Sequence, residues 1–187
     1  MPHPNMMEAD LAVLVVIDVQ EKMFPHIGSG SQEGILANLV RLIETARLLN
    51  IPILHTEQYP QGLGPTIEPI RAVLPPGQAP IVKSTCSCWR DEAFRRTLQR
   101  TEREHVIVAG VEAHVCVQQT ALDLLRVDYI PFVPEDAVGS RRERDATVAL
   151  ARMIRAGVEV STSESLIFEL VERCDHPRFK DVLKLVK

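Results

Sequence analysis

The stretch HVIVAGVEAHVCV, residues 105–117, places a thiol directly after a segment of strand character. The apolar run His105–Ala109 has the length of a buried strand, and Val115–Arg126 shows helical spacing of apolar residues. Cys116 is therefore expected at a helix N-terminus, where unpaired backbone N–H groups and the helix dipole favour the thiolate. This position predicts a reactive cysteine.

Segments of strand length alternate with segments of helical spacing along the 187 residues. The predicted strands are Leu11–Ile17, Pro52–Thr56, Pro80–Lys83, His105–Ala109, Tyr129–Val133 and Val158–Ser161. The predicted helices are Ile35–Leu49, Asp91–Arg100, Val115–Arg126, Glu143–Ala156, Glu164–Val171 and Pro177–Leu185. The alternation predicts one doubly wound α/β domain over residues 1–187.

Composition and charge limit the partners that the chain can have. Hydrophobic residues make up 45% of the chain, enough for a large core, and the net charge of −4 argues against a nucleic-acid partner. The segment MPHPNMMEAD has no basic flank followed by a long apolar stretch, and the apolar run Leu11–Ile17 is far shorter than the ~20 residues that span a bilayer. We expect a cytoplasmic protein with no membrane partner, whose four cysteines are free thiols.

Three polar residues stand at or directly after predicted strand ends. Asp18 follows the first strand in VVIDVQ, Lys83 ends the third in IVKS, and Cys116 follows the fourth. Each has an ordinary structural interpretation: a turn cap, a solvated rim charge and a small buried hydrophobe, respectively. Ligands of open parallel sheets bind beyond the carboxyl ends of the strands, so we expect all three at one rim. Together they supply a base, a cation and a nucleophile.

Residues of the strand-end loops are the candidates for the wall of a small, partly apolar pocket. The segment Glu57–Pro69, rich in Pro and Gly, is predicted as an irregular loop that walls this pocket. The expected wall residues are Phe24, Gln58, Tyr59, Trp89 and His114. Phe24 and Trp89 fit a core or subunit interface equally well, and His114 fits a hydrogen-bonded structural role.

The motifs VVIDVQ, IVKS and GVEAHVCV, in this order, resemble the isochorismatase-like cysteine hydrolases. This superfamily includes nicotinamidases and N-carbamoylsarcosine amidohydrolases. The resemblance covers nearly the whole chain and implies a three-layer α/β/α fold with a mostly parallel six-stranded sheet. The segment TEQYPQGLGPT is similar to a subgroup whose natural substrates are mostly unassigned.

The resemblance also implies a mechanism and a site. Asp18, Lys83 and Cys116 would form a catalytic triad in which Lys83 and the helix N-terminus lower the thiol pKa and Asp18 moves the proton. Cys116 would attack the carbonyl of a small amide or related C–N substrate and form a thioester. The backbone N–H groups of Glu112 and Cys116 would form the oxyanion hole, and the Val111–Glu112 peptide bond would be cis. The direction of the Glu112 carboxylate is left open.

The resemblance implies no organic cofactor and a small-molecule substrate. Zinc-dependent relatives carry Asp-x-His before a proline, whereas this chain has Glu57, Gln58 and Tyr59 before Pro60, so no catalytic metal is expected. Members of the superfamily usually assemble into dimers, tetramers or larger rings, which implies a homo-oligomer here.

Two other function classes compete with amide hydrolysis. The first is vinyl-ether hydrolysis of isochorismate, although relatives that perform it lack the nucleophilic cysteine. The second is a non-catalytic binding or scaffold role of the same fold, which would leave the set of Asp18, Lys83 and Cys116 without a purpose.

Overall fold

A parallel β-sheet forms the centre of the computed structural model, which describes residue 3 and residues 5–187. The strands are Ala12–Ile17 (β1), Ile53–Gln58 (β2), Ile81–Lys83 (β3), His105–Val111 (β4), Ile130–Pro134 (β5), Val138–Gly139 (β6) and Glu159–Ser161 (β7). Their order is β3-β2-β1-β4-β5-β7, with β6 paired to β4, and every pairing between these strands is parallel.

Helices cover both faces of the sheet. They are Gln32–Leu48 (α1), Pro60–Leu63 (α2), Glu68–Arg71 (α3), Glu92–Gln99 (α4), Gln118–Leu125 (α5), Glu143–Ala156 (α6), Ser163–Val171 (α7) and Phe179–Val186 (α8). Alternate residues of β1 face opposite sides: Leu14 packs in the core shared with α1 and α7, whereas Val15 packs in the core shared with α4, α5 and α6. The predicted three-layer, doubly wound α/β fold is confirmed.

Two local features differ from the sequence-based prediction. The sheet has a seventh strand, β6, whose two residues are too few to produce an apolar pattern. The segment Glu57–Pro69, predicted to lack regular structure, contains the end of β2, the one-turn helix α2 and the start of α3. Both short helices have proline in their first turn. The first N–H groups of a helix have no partner within the helix, so proline costs no hydrogen bond at this position.

Gly110 lets the carboxyl end of β4 approach β1 closely. It pairs with Ile17 in the sheet, and its φ of +108° is one that residues with a side chain rarely adopt. A Cβ atom at this position would lie 2.3 Å from the carbonyl oxygen of Ile17. Asp18 and the segment after β4 are therefore held at neighbouring points of the same sheet edge.

None of the helices in the part of the chain that the structure describes combines the length and apolar character needed to cross a membrane.

The crowding at Gly110 predicts a large loss of stability on replacement by alanine. We expect Gly110→Ala to lower the free energy of unfolding by at least about 2 kcal/mol, because it adds a backbone clash to an unfavourable φ. Gly77→Ala is the matched control, since Gly77 also has a positive φ of +77° but no atom within 4 Å of the added Cβ. Denaturant unfolding measures both, and equal losses would contradict the close approach of β4 and β1.

Candidate active site

A buried ion pair joins the ends of β1 and β3. Lys83, the last residue of β3, places its Nζ 2.6 Å from Oδ2 of Asp18, which directly follows β1. Both side chains are fully buried. Strand β2 lies between β1 and β3, and its last residue, Gln58, pairs with Lys83, so the two side chains meet beside the carboxyl end of β2.

The sulfur of Cys116 lies beside this ion pair. Cys116 belongs to a π-helical turn, Ala113–Val117, that connects β4 to α5. Its Sγ is 3.7 Å from Nζ of Lys83, and the residue is 5% exposed. The structure therefore brings together a carboxylate, an ammonium group and a thiol from the segments at three strand ends.

The surroundings of Cys116 stabilise the thiol rather than the thiolate. Burial raises the pKa of Cys116, the carboxylate of Asp18 raises it further, and the ammonium of Lys83 opposes both without reversing the direction. Lys83 acts in the expected direction, but burial and Asp18 outweigh it, so the net pKa of Cys116 in the resting site is raised and not lowered. The largest cause is burial, which removes the thiolate from water, and the carboxylate of Asp18 adds to it.

Lys83 keeps its proton at this site. Burial alone would lower the pKa of Lys83, but the nearby carboxylate of Asp18 acts in the opposite direction, and the net pKa is raised. The site at rest thus holds a charged lysine, a carboxylate bound to it, and a protonated thiol.

Two side chains of β2 bind the ion pair directly. The hydroxyl of Thr56 donates to Oδ1 of Asp18 at 2.7 Å, and Oε1 of Gln58 accepts from Nζ of Lys83 at 2.7 Å. Gln58 was expected in the pocket wall, and instead its side chain binds Lys83 and, through Nε2, the carbonyl of Ser84 at 2.9 Å. Sequence reasoning missed Thr56, although its two-residue spacing from Gln58 on a strand places both on one face.

Gln20 fastens the segment after β2 to the segment after β1. Its fully buried side chain accepts from the N–H of Gln58 at 2.8 Å and donates to the carbonyls of Gln58 at 3.0 Å and Gly64 at 2.6 Å. The position of Gln58, and through it the position of Lys83, is therefore tied to the loop that carries Asp18.

The turn between β4 and the π-helical segment begins with a cis peptide bond between Val111 and Glu112. Oε1 of Glu112 accepts hydrogen bonds from both the backbone N–H and Nε of Arg141, each at 3.0 Å. These contacts show the direction of the Glu112 carboxylate. It pairs with Arg141, which follows β6, and so does not place an unpaired charge near the sulfur.

The aromatic residues expected in the pocket wall pack elsewhere or lie at the rim. Phe24 is 6% exposed and belongs to the core on the α1 side, and Trp89 packs edge-on against Tyr129 with ring centroids 5.5 Å apart. Tyr129 precedes β5, at the amino ends of the strands, so Trp89 does not wall the triad. Tyr59 is 61% exposed, with its ring over Gly62.

His114 contacts Ser140, and one surface cavity lies away from Asp18, Lys83 and Cys116. Nδ1 of half-buried His114 lies 3.0 Å from Oγ of Ser140, which is the structural role weighed for it. A surface cavity of about 670 Å³ lies around Thr162 and Phe168, beyond β7 at the opposite edge of the sheet from Lys83. Within the described ranges, no group of three or more His, Cys, Asp or Glu residues is arranged to hold a metal ion.

Comparisons with known proteins identify the family. The isochorismatase domain matches residues 12–165. The chain is 40% identical over 176 residues to isochorismatase domain-containing protein 2A of Mus musculus, covering 94% of this chain and 82% of that protein. The structure of MAR1 ribonuclease from Caenorhabditis elegans is similar with a TM-score of 0.90 and 38% identity, covering 97% of this chain and 92% of that one.

A second solved structure has the same fold over an equal extent. It is YcaC from Pseudomonas aeruginosa with hexane-2,5-diol and covalent acrylamide, with a TM-score of 0.90, 25% identity, and coverage of 99% of this chain and 93% of that one.

The buried thiol Cys88 predicts a loss of stability in alkali. Burial raises the pKa of Cys88 to about 12 from an ordinary value of 9.0, against the opposing charge of Lys83. Between these two values the unfolded chain has lost the proton and the folded protein keeps it, so stability falls as pH rises, by up to about 1.4 kcal/mol per pH unit for this thiol.

Replacement of Cys88 by alanine should reduce this slope. The free energy of unfolding, measured by denaturant between about pH 9 and pH 11, should decline less steeply in Cys88→Ala than in the native chain. Cys174→Ala, at an exposed cysteine, serves as the control and should keep the native slope. Parallel curves for native and Cys88→Ala proteins would refute a protonated thiol at Cys88.

Proposed function

This chain belongs to the isochorismatase family, and we propose that it is a cysteine-dependent hydrolase of a small amide or related C–N substrate. The observation that carries the proposal is the cluster of Asp18, Lys83 and Cys116, with Nζ of Lys83 2.6 Å from the carboxylate and 3.7 Å from the sulfur. A base, a fixed cation and a nucleophile at the edge of a buried site are the parts that acyl transfer through a thioester needs.

In the first half-reaction, Sγ of Cys116 attacks the carbonyl carbon while its proton passes to Asp18. The carbonyl oxygen gains negative charge, which the backbone N–H groups of Glu112 and Cys116 stabilise as an oxyanion hole. When the tetrahedral intermediate collapses, the C–N bond breaks and Asp18 gives its proton to the departing nitrogen. Ammonia or a small amine leaves, and the acyl group stays on sulfur as a thioester.

In the second half-reaction, water attacks the thioester carbon and gives a proton to Asp18. Collapse of the second tetrahedral intermediate breaks the C–S bond, the carboxylic acid is released, and Asp18 returns the proton to the sulfur. Lys83 remains charged throughout, so its ammonium stabilises the negative charge that passes between Asp18 and Cys116. One water is consumed for each C–N bond that is cleaved.

The protonated resting thiol determines the timing of the first step. Because the surroundings raise the pKa of Cys116, a standing thiolate is rare at neutral pH, and proton transfer to Asp18 accompanies the attack. This gives Asp18 a necessary role in each turnover, whereas a preformed thiolate would need no base.

The names of the similar structures suggest which compounds to test as substrates and probes. YcaC from Pseudomonas aeruginosa was solved with covalent acrylamide, which supports acrylamide as a probe of nucleophilic chemistry in this fold. The Caenorhabditis elegans structure is called a ribonuclease, so RNA belongs in any substrate panel. The net charge of −4 and the near-complete burial of Asp18, Lys83 and Cys116 favour a small molecule over a polynucleotide.

The two competing function classes, vinyl-ether hydrolysis and a non-catalytic scaffold role, account for the site less well. Vinyl-ether hydrolysis has no use for a nucleophilic sulfur at 3.7 Å from a buried ammonium. A scaffold has no use for the ion pair of Asp18 and Lys83, since removing two charges from water is expensive and well-packed apolar residues are often as stable.

We further propose a cytoplasmic homo-oligomer. The four cysteines are free, as a reducing compartment would keep them. Val148 and Ile154 of α6 are about half exposed, at 50% and 56%, and offer apolar contacts for a second copy of the chain.

The proposal predicts that one cysteine carries turnover. We expect Cys116→Ser to lower kcat by at least about 10³-fold, because a serine hydroxyl is a far weaker nucleophile in a site built for sulfur. The assay is release of ammonia or amine from a panel of small amides and ureido compounds that includes nicotinamide, run beside an RNA cleavage assay. Cys86→Ser, at an exposed cysteine, is the control and should keep native turnover.

Two results would count against the proposal. Native turnover in Cys116→Ser would show that the sulfur is not the nucleophile. Cleavage of RNA at a rate that Cys116→Ser leaves unchanged, with no small amide hydrolysed, would assign the activity to another chemistry.

A further inference from the structure

Strand β2 lies between β1 and β3, and its side chains contact both members of the ion pair. Thr56 and Gln58 are two residues apart on β2 and therefore lie on the same face of the strand. One contacts the carboxylate of Asp18 and the other contacts the ammonium of Lys83. Neither side chain carries a charge.

Thr56 fixes the orientation of the Asp18 carboxylate. Its hydroxyl donates to Oδ1 at 2.7 Å, while Nζ of Lys83 binds Oδ2 at 2.6 Å. With a donor on each oxygen, the carboxylate cannot rotate about its Cβ–Cγ bond without losing at least one charge-assisted hydrogen bond. Thr56 is 1% exposed, so water does not replace its hydroxyl.

Gln58 fixes the position of the Lys83 ammonium. Its Oε1 accepts from Nζ at 2.7 Å, and its Nε2 donates to the carbonyl of Ser84 at 2.9 Å, which assigns the orientation of the amide. The carbonyl of Thr85 accepts from the same Nζ at 3.2 Å. These acceptors are neutral, and among the described residues Asp18 is the one carboxylate that pairs with Lys83.

We propose that Thr56 and Gln58 are positioning residues, which hold Asp18 and Lys83 so that the carboxylate faces the thiol of Cys116. This inference rests on the proposed function, in which Asp18 takes the proton of Cys116. It extends the site from three residues to five, with the two added residues supplied by the strand between β1 and β3. The titratable groups that face Asp18 are Lys83, Cys116 and Cys88.

Thr56 allows a test that separates positioning from packing. Valine keeps the shape of threonine and removes the hydroxyl, whereas serine keeps the hydroxyl and removes the methyl group. If Thr56 positions Asp18, Thr56→Val is the damaging change and Thr56→Ser is mild. If Thr56 only fills space, the order is reversed, because serine leaves a small cavity behind.

The measured quantity is the second-order rate constant for alkylation of Cys116 by acrylamide, mapped by mass spectrometry as a function of pH. Thr56→Val should lower this rate by roughly 10- to 100-fold, the loss expected for one hydrogen bond to a charged group. Thr56→Ser should stay within about threefold of the native rate.

Gln58→Met gives the second arm of the test. Methionine has nearly the length of glutamine but offers Lys83 no carbonyl oxygen, so alkylation of Cys116 should slow by roughly tenfold. Gln78→Met is the matched control, since Gln78 also contacts β2, at the carbonyl of Ile53 near the amino end of the strand. This control should react at the native rate.

Further controls exclude general damage to the fold. Thr45→Val removes a buried hydroxyl that has no hydrogen-bond partner among the described residues, and it should leave alkylation of Cys116 unchanged. The exposed Cys174 serves as an internal reference in every sample, because it lies outside the buried network. Denaturant unfolding of each variant checks that the fold is retained.

The outcomes distinguish the inference from the proposed function. If Asp18→Asn slows alkylation of Cys116 but Thr56→Val and Gln58→Met do not, the function stands and the positioning roles are refuted. A loss in Thr56→Ser equal to or greater than the loss in Thr56→Val also refutes the role of Thr56. If Asp18→Asn itself has no effect, the proposed function fails, and the positioning inference fails with it.

Discussion

The ion pair between Asp18 and Lys83 is the interaction on which the site depends. Two charges buried at 2.6 Å lose their hydration, and their attraction compensates for this loss only when further hydrogen bonds satisfy the remaining oxygens and protons. The fold supplies those bonds from β2: the hydroxyl of Thr56 and the amide of Gln58. A parallel sheet is suited to this task because three adjacent strands end at one edge.

The same ion pair explains the state of the nucleophile. Lys83 is nearer to Asp18 than to Cys116, so the carboxylate offsets most of the attraction between the ammonium and the sulfur. Burial then keeps the proton on the sulfur. In the proposed mechanism, Asp18 takes the proton of Cys116 during the attack, and this transfer replaces the low thiol pKa of many cysteine enzymes.

Much of the fold and part of the site could be predicted from sequence. The alternation of apolar strands with helical segments indicates a parallel sheet, and residues at strand ends, such as Asp18 and Lys83, can be expected at one rim. Contacts between side chains far apart in the chain carry no such signal. The pairing of Glu112 with Arg141, 29 residues later, is one example, and the packing of Trp89 on Tyr129 is another. The pKa of Cys116 likewise depends on burial and on distances that only the folded chain defines.

The most direct test of the account is a double-mutant cycle on alkylation of Cys116 by acrylamide, with Asp18→Asn, Lys83→Met and the double variant. If the ion pair acts as one unit, each single change should lose nearly as much rate as both together, as is found when residues share one catalytic step. Losses that multiply in the double variant would show that Asp18 and Lys83 act independently, and would contradict the claim that their pairing makes Cys116 a nucleophile.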